Sequence, residues 1–219
     1  MKKIILYGAS NFGDEIAQLF RDITKHETSQ INKWEIYGFL DDDQNKTGVV
    51  RNDIPVIGTT QWLDNNSIQE YFFVCCIGNP RTKELITKRI KERGGKFGIG
   101  IHPSVIKSDY VSIGEGTIIT AGNILTTNIE VGSHVIVNLA CTIGHYSKIH
   151  DYCTINPGAN ISGDVTLEEG VLLGTNCTIL EKMTIGKYSV IGAGAVVNKN
   201  IPDNVTAVGI PAKVIKIGN

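Results

Sequence analysis

The sequence predicts an α/β domain followed by an all-β domain: a small Rossmann-like fold over residues 1–98 and a parallel β-helix of hexapeptide repeats over residues 99–219. Three observations predict this organisation. An aliphatic residue recurs at every sixth position of the second half, and strand and helix patterns alternate in the first half. The period of six is absent before residue 98, so the two halves are expected to form domains of different fold.

The repeat of the second half fits neither an isolated helix nor an isolated strand. A helix repeats at about 3.6 residues and a strand at about two, whereas a coil with three flat sides places one inward aliphatic on each side. Small residues often stand two positions before the aliphatic, where a narrow coil has to turn. Eighteen residues make one coil, so residues 111–200 predict about five coils. The aliphatic positions are Ile113, Ile119, Leu125, Val131, Val137, Ile143, Ile149, Ile155, Ile161, Leu167, Leu173, Ile179, Ile185, Ile191 and Val197. The small residues are Cys141, Ser147, Cys153, Ala159, Cys177, Ser189 and Ala195.

In the first half, apolar strands alternate with helical patterns, as in a parallel sheet with crossover helices. The predicted strands are Lys2–Tyr7, Trp34–Leu40, Ile54–Ile57 and Tyr71–Ile77, and the predicted helices are 13–24, Thr60–Asp64 and a segment from Pro80 to a stop at Gly94-Gly95. The last helix begins on a proline, which suits a first turn. Its inner face is expected to carry Leu85, Ile86 and Ile90.

A glycine turn after the first strand marks a candidate nucleotide site. Ligands of such sheets bind at the carboxyl ends of the strands, and backbone N–H groups at a helix start suit a phosphate. Gly8 and Gly13 bound this turn, Asp41 and Asp42 end the second strand on the same edge, and Gly78 permits close approach there. The turn lacks the middle glycine of the dinucleotide fingerprint, which favours a single nucleotide attached to another group over NAD. The alternative is a turn that only joins strand to helix.

Composition excludes several classes of function. The chain has 21 basic and 22 acidic residues and a net charge of −1, and it has no basic stripe, which argues against a nucleic-acid partner. No apolar run approaches a membrane span, and the apolar N-terminal run is too short for a signal peptide. The five cysteines show no C-x-x-C spacing, so packed thiols are expected rather than a metal site or disulfides. We therefore expect a cytoplasmic protein.

One histidine of the predicted β-helix stands out by its surroundings. His145 lies at a coil corner, and the equivalent position one coil later is Gly163. A base beside a reachable backbone N–H is the arrangement that acyl transfer needs, and Asn138 can add a polar contact. His134 and His150 are expected to be surface imidazoles in connecting positions, and the same alternative applies to His145 taken alone.

With these residues in view, the chain resembles the bacterial sugar acyltransferases of the left-handed β-helix class, in the branch of the bacillosamine-type and sialic-acid-type acetyltransferases. The resemblance spans nearly the whole chain and rests on short motifs in a fixed order. The motifs are Tyr7–Ser10, Phe39–Asp42, Ile77–Asn79, Ile101–Pro103, Gly144–His145, Asn156–Gly158 and Gly209–Lys213.

The resemblance implies a homotrimer with active sites between neighbouring β-helices, acetyl-CoA along a helix groove, and a nucleotide-linked amino sugar on the N-terminal domain. It implies His145 as the catalytic base, Gly163 as the backbone donor to the thioester carbonyl and Asn138 as a sugar contact. The implied coenzyme A contacts are Thr154, Gly163, Thr175 and Ala193, and the implied nucleotide-sugar contacts are Ser10, Asn11, Phe12, Asp41, Asp42 and Gly78. No metal is implied.

Three positions differ from the usual family pattern. Tyr146 stands where relatives often carry Asp or Glu, and Thr154 stands where some carry a second histidine near the acetyl group. Asn11-Phe12 replaces the usual Gly-His of the turn.

The expected function is acetyl-CoA-dependent N-acetylation of a nucleotide-linked 4-amino sugar by histidine general-base catalysis. An imidazole, with its ordinary pKa of about 6.5, can accept a proton at neutral pH. Two alternatives stay open: O-acetylation of a sugar of the sialic-acid type, and a non-catalytic nucleotide-binding scaffold.

Overall fold

The computed structural model describes residues 1–218. The first domain contains strands β1 (Lys2–Tyr7), β2 (Trp34–Leu40), β3 (Val50–Arg51), β4 (Ile54–Gly58), β5 (Tyr71–Cys75) and β6 (Lys96–Phe97), helices α1 (Asn11–His26), α2 (Trp62–Asn65) and α3 (Pro80–Glu92), and a 3₁₀ turn at Gln44–Lys46. The predicted long strands and helices are confirmed, with ends displaced by a few residues.

The six strands form one sheet in the order β3-β4-β2-β1-β5-β6. All neighbouring pairs are parallel except the short hairpin of β3 with β4. The parallel strands therefore follow the Rossmann order, and the order reverses between β1 and β5. Helix α1 begins because the Ser10 side chain accepts a hydrogen bond from the Gly13 N–H at 3.3 Å. Its Ile16 and Phe20 are fully buried against the sheet.

Short strands then wind into a parallel β-helix with three faces. The strands are β7 (Gly100–Ile101), β8 (Ile106–Lys107), β9 (Val111–Ile113), β10 (Ile118–Ile119), β11 (Ile124–Leu125), β12 (Ile129–Val131), β13 (Ile136–Val137), β14 (Thr142–Ile143), β15 (Lys148–Ile149), β16 (Thr154–Ile155), β17 (Asn160–Ile161), β18 (Thr166–Leu167), β19 (Leu172–Leu173), β20 (Thr178–Ile179), β21 (Thr184–Ile185), β22 (Val190–Ile191), β23 (Val196–Val197), β24 (Val205–Val208) and β25 (Lys213–Ile217). Strands one coil apart pair in register, for example Ile143 with Ile161.

We call the three stacks the first face (β7, β10, β13, β16, β19, β22 and β24), the second face (β8, β11, β14, β17, β20 and β23) and the third face (β9, β12, β15, β18 and β21). The chain turns from the first face to the second at the first corner, and from the second to the third at the second corner. From residue 122 to residue 194, one residue of each first and second corner adopts a left-handed backbone, such as Ala140 at φ 55° and Tyr146 at φ 57°.

The predicted inward aliphatics are confirmed. All but Ile113 are at most 4% exposed, and Ile113 packs partly buried against the same core. The small residues at the turns, including Cys141 and Cys177, are 0% exposed. All five cysteines are free and buried. The β-helix begins two strands earlier than the period predicts, at β7 rather than β9, because Lys107 of β8 interrupts the aliphatic series.

The first domain covers the first face. Ile118 and Ile136 point outward from that face, are at most 1% exposed and belong to the same core cluster as Ile4 of β1. The chain leaves the first sheet at Phe97 and enters the first coil at Gly100, so a boundary at residue 98 stays a reasonable prediction. Within residues 1–218, none of the helices combines the length and apolarity that a bilayer crossing requires.

Two expectations about single residues were wrong. Leu85 is 51% exposed, and the inner face of α3 instead buries Lys83 and Thr87 beside Ile86 and Ile90. His134 is 3% exposed, because Phe97 packs edge-on against its ring at 4.5 Å and Tyr152 stacks on it at 5.4 Å.

Candidate active site

The glycine turn lies at the point where the strand order reverses. A side chain at Gly8, whose φ is 115°, would meet the Cys76 carbonyl oxygen at 3.1 Å. A side chain at Gly13 would meet the Gly8 carbonyl oxygen at 2.2 Å. Both glycines are therefore required for the close passage of β1, α1 and the end of β5, and the crevice above them is the usual ligand position in such sheets.

The start of α1 offers free donors to this crevice. Ser10 caps the Gly13 N–H, whereas the N–H groups of Asn11 and Phe12 donate to no atom of residues 1–218. Unpaired N–H groups at the start of a 16-residue helix favour a phosphate. Arg51 lies beside them, and its guanidinium donates a hydrogen bond to the Asn11 side chain at 3.1 Å. The sequence did not predict Arg51 at this site, because it lies on the short strand β3, far from Asn11 along the chain.

The two carboxylates of the edge hold the surrounding loops. Asp41 accepts hydrogen bonds from the Ala9 N–H at 2.9 Å and from Lys46 at 2.8 Å, so it fixes the glycine turn. Asp42 accepts hydrogen bonds from the Thr60 N–H at 2.9 Å and hydroxyl at 2.6 Å. Burial acts to raise the pKa of Asp42, but the hydrogen bonds from Thr60 and Tyr7 and the charge of Arg89 together lower that pKa below its ordinary value.

At the second corner, the imidazole of His145 lies directly on Gly163. A Cβ built at Gly163 would stand 2.4 Å from Cε1 and 2.7 Å from Nε2 of the ring. The Gly163 N–H donates to no atom of residues 1–218, and no side chain among them hydrogen-bonds to the imidazole. An exposed base therefore sits against a free backbone donor, which is the pairing that acyl transfer uses.

Position 163 is glycine because the His145 imidazole occupies the space that a side chain there would need. Positions 18 residues apart at the second corner hold Asp109, Thr127, His145, Gly163 and Glu181, so the corner itself accepts side chains. The backbone of Gly163 lies outside the left-handed region, so its conformation does not require glycine either. The three atoms nearest a Cβ at position 163 all belong to the imidazole, at 2.4–2.8 Å, so the ring is the first group that a side chain there would meet.

The remaining predicted residues lie elsewhere on the coils. Asn138 directly follows β13 at the first corner, where its side chain accepts a hydrogen bond from the Leu139 N–H at 2.8 Å. Thr175 and Ala193 also lie at the first corner, after β19 and β22, and both are exposed. Within one protomer, Asn138, Thr175 and Ala193 therefore lie at a different corner from His145 and Gly163.

Thr154 is in a different environment again. It stands on the first face beneath the N-terminal domain, is 3% exposed and accepts a hydrogen bond from Lys83 at 2.9 Å. Gly78 lies above it: a Cβ there would stand 3.9 Å from the Thr154 methyl. We call the sheet edge that carries the Gly8–Gly13 turn, Asp41, Asp42 and Gly78 the nucleotide edge. Thr154 lies behind this edge rather than in an open groove of the β-helix.

Comparison with known proteins agrees with both halves of the fold. Residues 3–90 match the PglD N-terminal domain family, and residues 164–199 match the bacterial transferase hexapeptide (six repeats) family. The GDP-perosamine N-acetyltransferase of Escherichia coli O157:H7 is 28% identical over 149 residues, which span 68% of this chain and 65% of that relative's length.

Solved structures match over nearly the whole chain. The acetyltransferase domain of PglB from Neisseria gonorrhoeae is 30% identical, with a TM-score of 0.87 and coverage of 98% of this chain and 100% of that one. That domain has also been solved with acetyl coenzyme A. PerB from Caulobacter crescentus, solved with CoA and GDP-perosamine, is 25% identical with a TM-score of 0.87 and coverage of 98% and 97%. The chain therefore belongs to the left-handed β-helix sugar acetyltransferases that carry a PglD-type N-terminal domain.

Proposed function

We propose that this chain transfers the acetyl group of acetyl-CoA to the amine of a nucleotide-linked amino sugar, with a 4-amino sugar as the favoured acceptor. The contact of the His145 imidazole with Gly163 is the observation that carries the proposal. The crevice at Gly8–Gly13 supports the acceptor, because its free N–H groups suit the phosphates of a sugar nucleotide. The relative named GDP-perosamine N-acetyltransferase, and PerB with its bound CoA and GDP-perosamine, support the same class of substrate.

In this mechanism the sugar nitrogen attacks the thioester carbonyl carbon, and a C–N bond forms. The Gly163 N–H donates to the oxyanion of the tetrahedral intermediate. His145 accepts the proton that leaves the amine. The intermediate then collapses with cleavage of the C–S bond, and the departing CoA sulfur takes the proton from the imidazolium.

The division of the site residues between two corners favours a homotrimer as the active species. Asn138, Thr175 and Ala193 lie at the first corner and His145 with Gly163 at the second, so a groove between two β-helices can unite them. We propose that one protomer supplies the first corner of each site and its neighbour the second.

Subunit complementation tests the shared site. Two inactive variants, His145→Ala and Ala193→Trp, are refolded together and compared with each alone. If sites are shared around a three-fold axis, random reassembly of equal amounts gives both native corners in about a quarter of all sites, and activity returns to that level. Mixed trimers that stay inactive would place the whole site within one chain.

The acceptor is tested by CoA thiol release with a panel of UDP-, GDP- and dTDP-linked amino sugars and their hydroxyl counterparts. We expect turnover with an amine acceptor and little with the matched hydroxyl, because nitrogen is the better nucleophile. Preferred turnover of the hydroxyl sugar would favour the O-acetyltransferase alternative. Nucleotide binding without any thiol release would favour the scaffold.

A further inference from the structure

A buried lysine joins the two domains. Lys83 lies on the inner face of α3 and is 1% exposed, although this helix is rich in charged residues that point to solvent. Its side chain crosses from the N-terminal domain to the first face of the β-helix. There the ammonium donates to the Cys153 carbonyl oxygen at 3.0 Å and to the Thr154 hydroxyl at 2.9 Å.

No counter-ion accompanies this ammonium. Within residues 1–218, no carboxylate lies within 4.0 Å of it. The neighbouring thiols of Cys75 and Cys153 stay neutral, because burial raises the pKa of each to about 12. Burial also lowers the pKa of Lys83 to about 7. A buried amine without an acid partner is costly, so a purely stabilising contact is a poor explanation for it.

The position of this contact links the two halves of the proposed site. Thr154 begins the first-face strand β16, nine residues or half a coil after His145. Gly78 of the nucleotide edge lies directly above the Thr154 methyl. Neighbouring coils are about 4.8 Å apart. A shift of the N-terminal domain by about 2–3 Å along the β-helix axis would therefore displace the nucleotide edge by about half the spacing between coils.

We propose that Lys83 is a positioning residue, which sets the height of the nucleotide-sugar domain against the coil that carries His145. The proposal rests on the proposed function, because it concerns how the acceptor is presented to the β-helix. Lys83 does not touch the reacting atoms. It acts through Thr154 and the Gly78 segment.

The test compares Lys83→Met and Thr154→Val, which remove the two ends of the contact, singly and together. Methionine keeps the length of the side chain, and an apolar replacement of a buried charge is often tolerated. Lys91→Met is the matched control, because Lys91 also bridges the domains, to Glu115 at 2.8 Å, but is largely exposed. Each protein is assayed for kcat and KM with a nucleotide amino sugar, and with the same amino sugar lacking its nucleotide.

We expect Lys83→Met to lower kcat/KM for the nucleotide sugar about 10²-fold, as a misplacement near 1 Å does, with KM for acetyl-CoA within about twofold. Thr154→Val should lose a similar factor and the double variant no more than Lys83→Met alone, because both act on one contact. Turnover of the nucleotide-free acceptor should stay at the parent level, which a general loss of structure would not allow. The Lys91→Met control should match the parent.

Parent-like kcat/KM in Lys83→Met, or an equal loss with both acceptors, would overturn the positioning role. If Lys83→Met fails to fold, Thr154→Val alone decides, since it leaves the lysine in place. A parent protein that acetylates no nucleotide amino sugar would instead contradict the proposed function, so the two failures are distinguishable.

Discussion

Ile143 and Ile161 stand one coil apart inside the β-helix and have the same chemistry, whereas His145 and Gly163, two positions later on the outside, do not. The interior repeats because every coil must bury the same aliphatic in the same narrow space. The outside carries what is specific to one place: the base at the second corner, and the domain junction on the first face. Substitutions inside should therefore change stability, and substitutions outside should change activity or pH response.

The interior should give the largest loss of stability. Ile155→Ala removes a fully buried side chain and should lower the free energy of unfolding by about 2–5 kcal/mol, since the rigid coil cannot close the cavity. Chemical denaturation measures the change, with Ile31→Ala at a 78% exposed site as the control. An Ile155→Ala protein as stable as its parent would contradict the inward register of the repeat.

At the second corner, Gly163→Ala should lower activity and leave stability nearly unchanged. Alanine fits the backbone, but its Cβ would meet the His145 ring at 2.4 Å, so the imidazole must move. We expect kcat to fall about 10²-fold with little change in Tm. Steady-state kinetics and a thermal melt measure both, and Ser162→Ala is the neighbouring control. Full activity in Gly163→Ala would remove this contact from the site.

At the domain junction, stability should depend on pH. Burial lowers the pKa of His134 from 6.5 to about 4 despite the nearby carboxylates of Glu115 and Asp151. Between pH 4 and pH 6.5, His134 is therefore protonated in the unfolded chain and neutral in the folded chain. The contribution of neutral His134 to the free energy of unfolding is fully present above pH 6.5 and is lost as the pH falls toward 4. The loss amounts to roughly 1–2 kcal/mol at pH 5. Burial also lowers the pKa of Lys83 to about 7, so that its contribution to stability grows mainly as the pH rises above 7.

The substitution His134→Asn tests this dependence, because asparagine tolerates the left-handed backbone at φ 56°. Its unfolding free energy should change less between pH 7 and pH 5 than that of the parent. His26→Asn, at an exposed histidine, should leave the slope unchanged. Identical slopes in the parent and His134→Asn would show that another group controls acid stability.

The nucleotide edge should give the smallest effect. Replacement of Asp41 and Asp42 by alanine loosens the turn and the Thr60 loop. KM for the nucleotide sugar should rise roughly tenfold with kcat nearly intact, and KM for acetyl-CoA should hardly change. Asp43→Ala is the control on the same loop. Unchanged affinity for the nucleotide sugar in the double variant would assign this domain another role.

The same contrast explains what the sequence could predict. The interior was predictable because period and chemistry coincide at each inward position, and the pairing of His145 with Gly163 followed from a spacing of one coil. Thr175 and Ala193 lie 30 and 48 residues after His145, spacings that place them at another corner, so their common site depends on a second subunit. Lys83 was missed because hydrophobic periodicity favoured Leu85, and its partners are 70 and 71 residues away along the chain.

In the proposed reaction, His145 removes the proton from the acceptor amine. The most direct measurement is kcat for acetyl transfer by His145→Ala and by His150→Ala, an exposed histidine five residues later. Both variants should fold and assemble as the parent does. We predict a loss of roughly 10²–10⁴-fold in His145→Ala, typical of a missing general base, and parent-like turnover in His150→Ala. A kcat within a few-fold of the parent in His145→Ala would show that another group takes the proton.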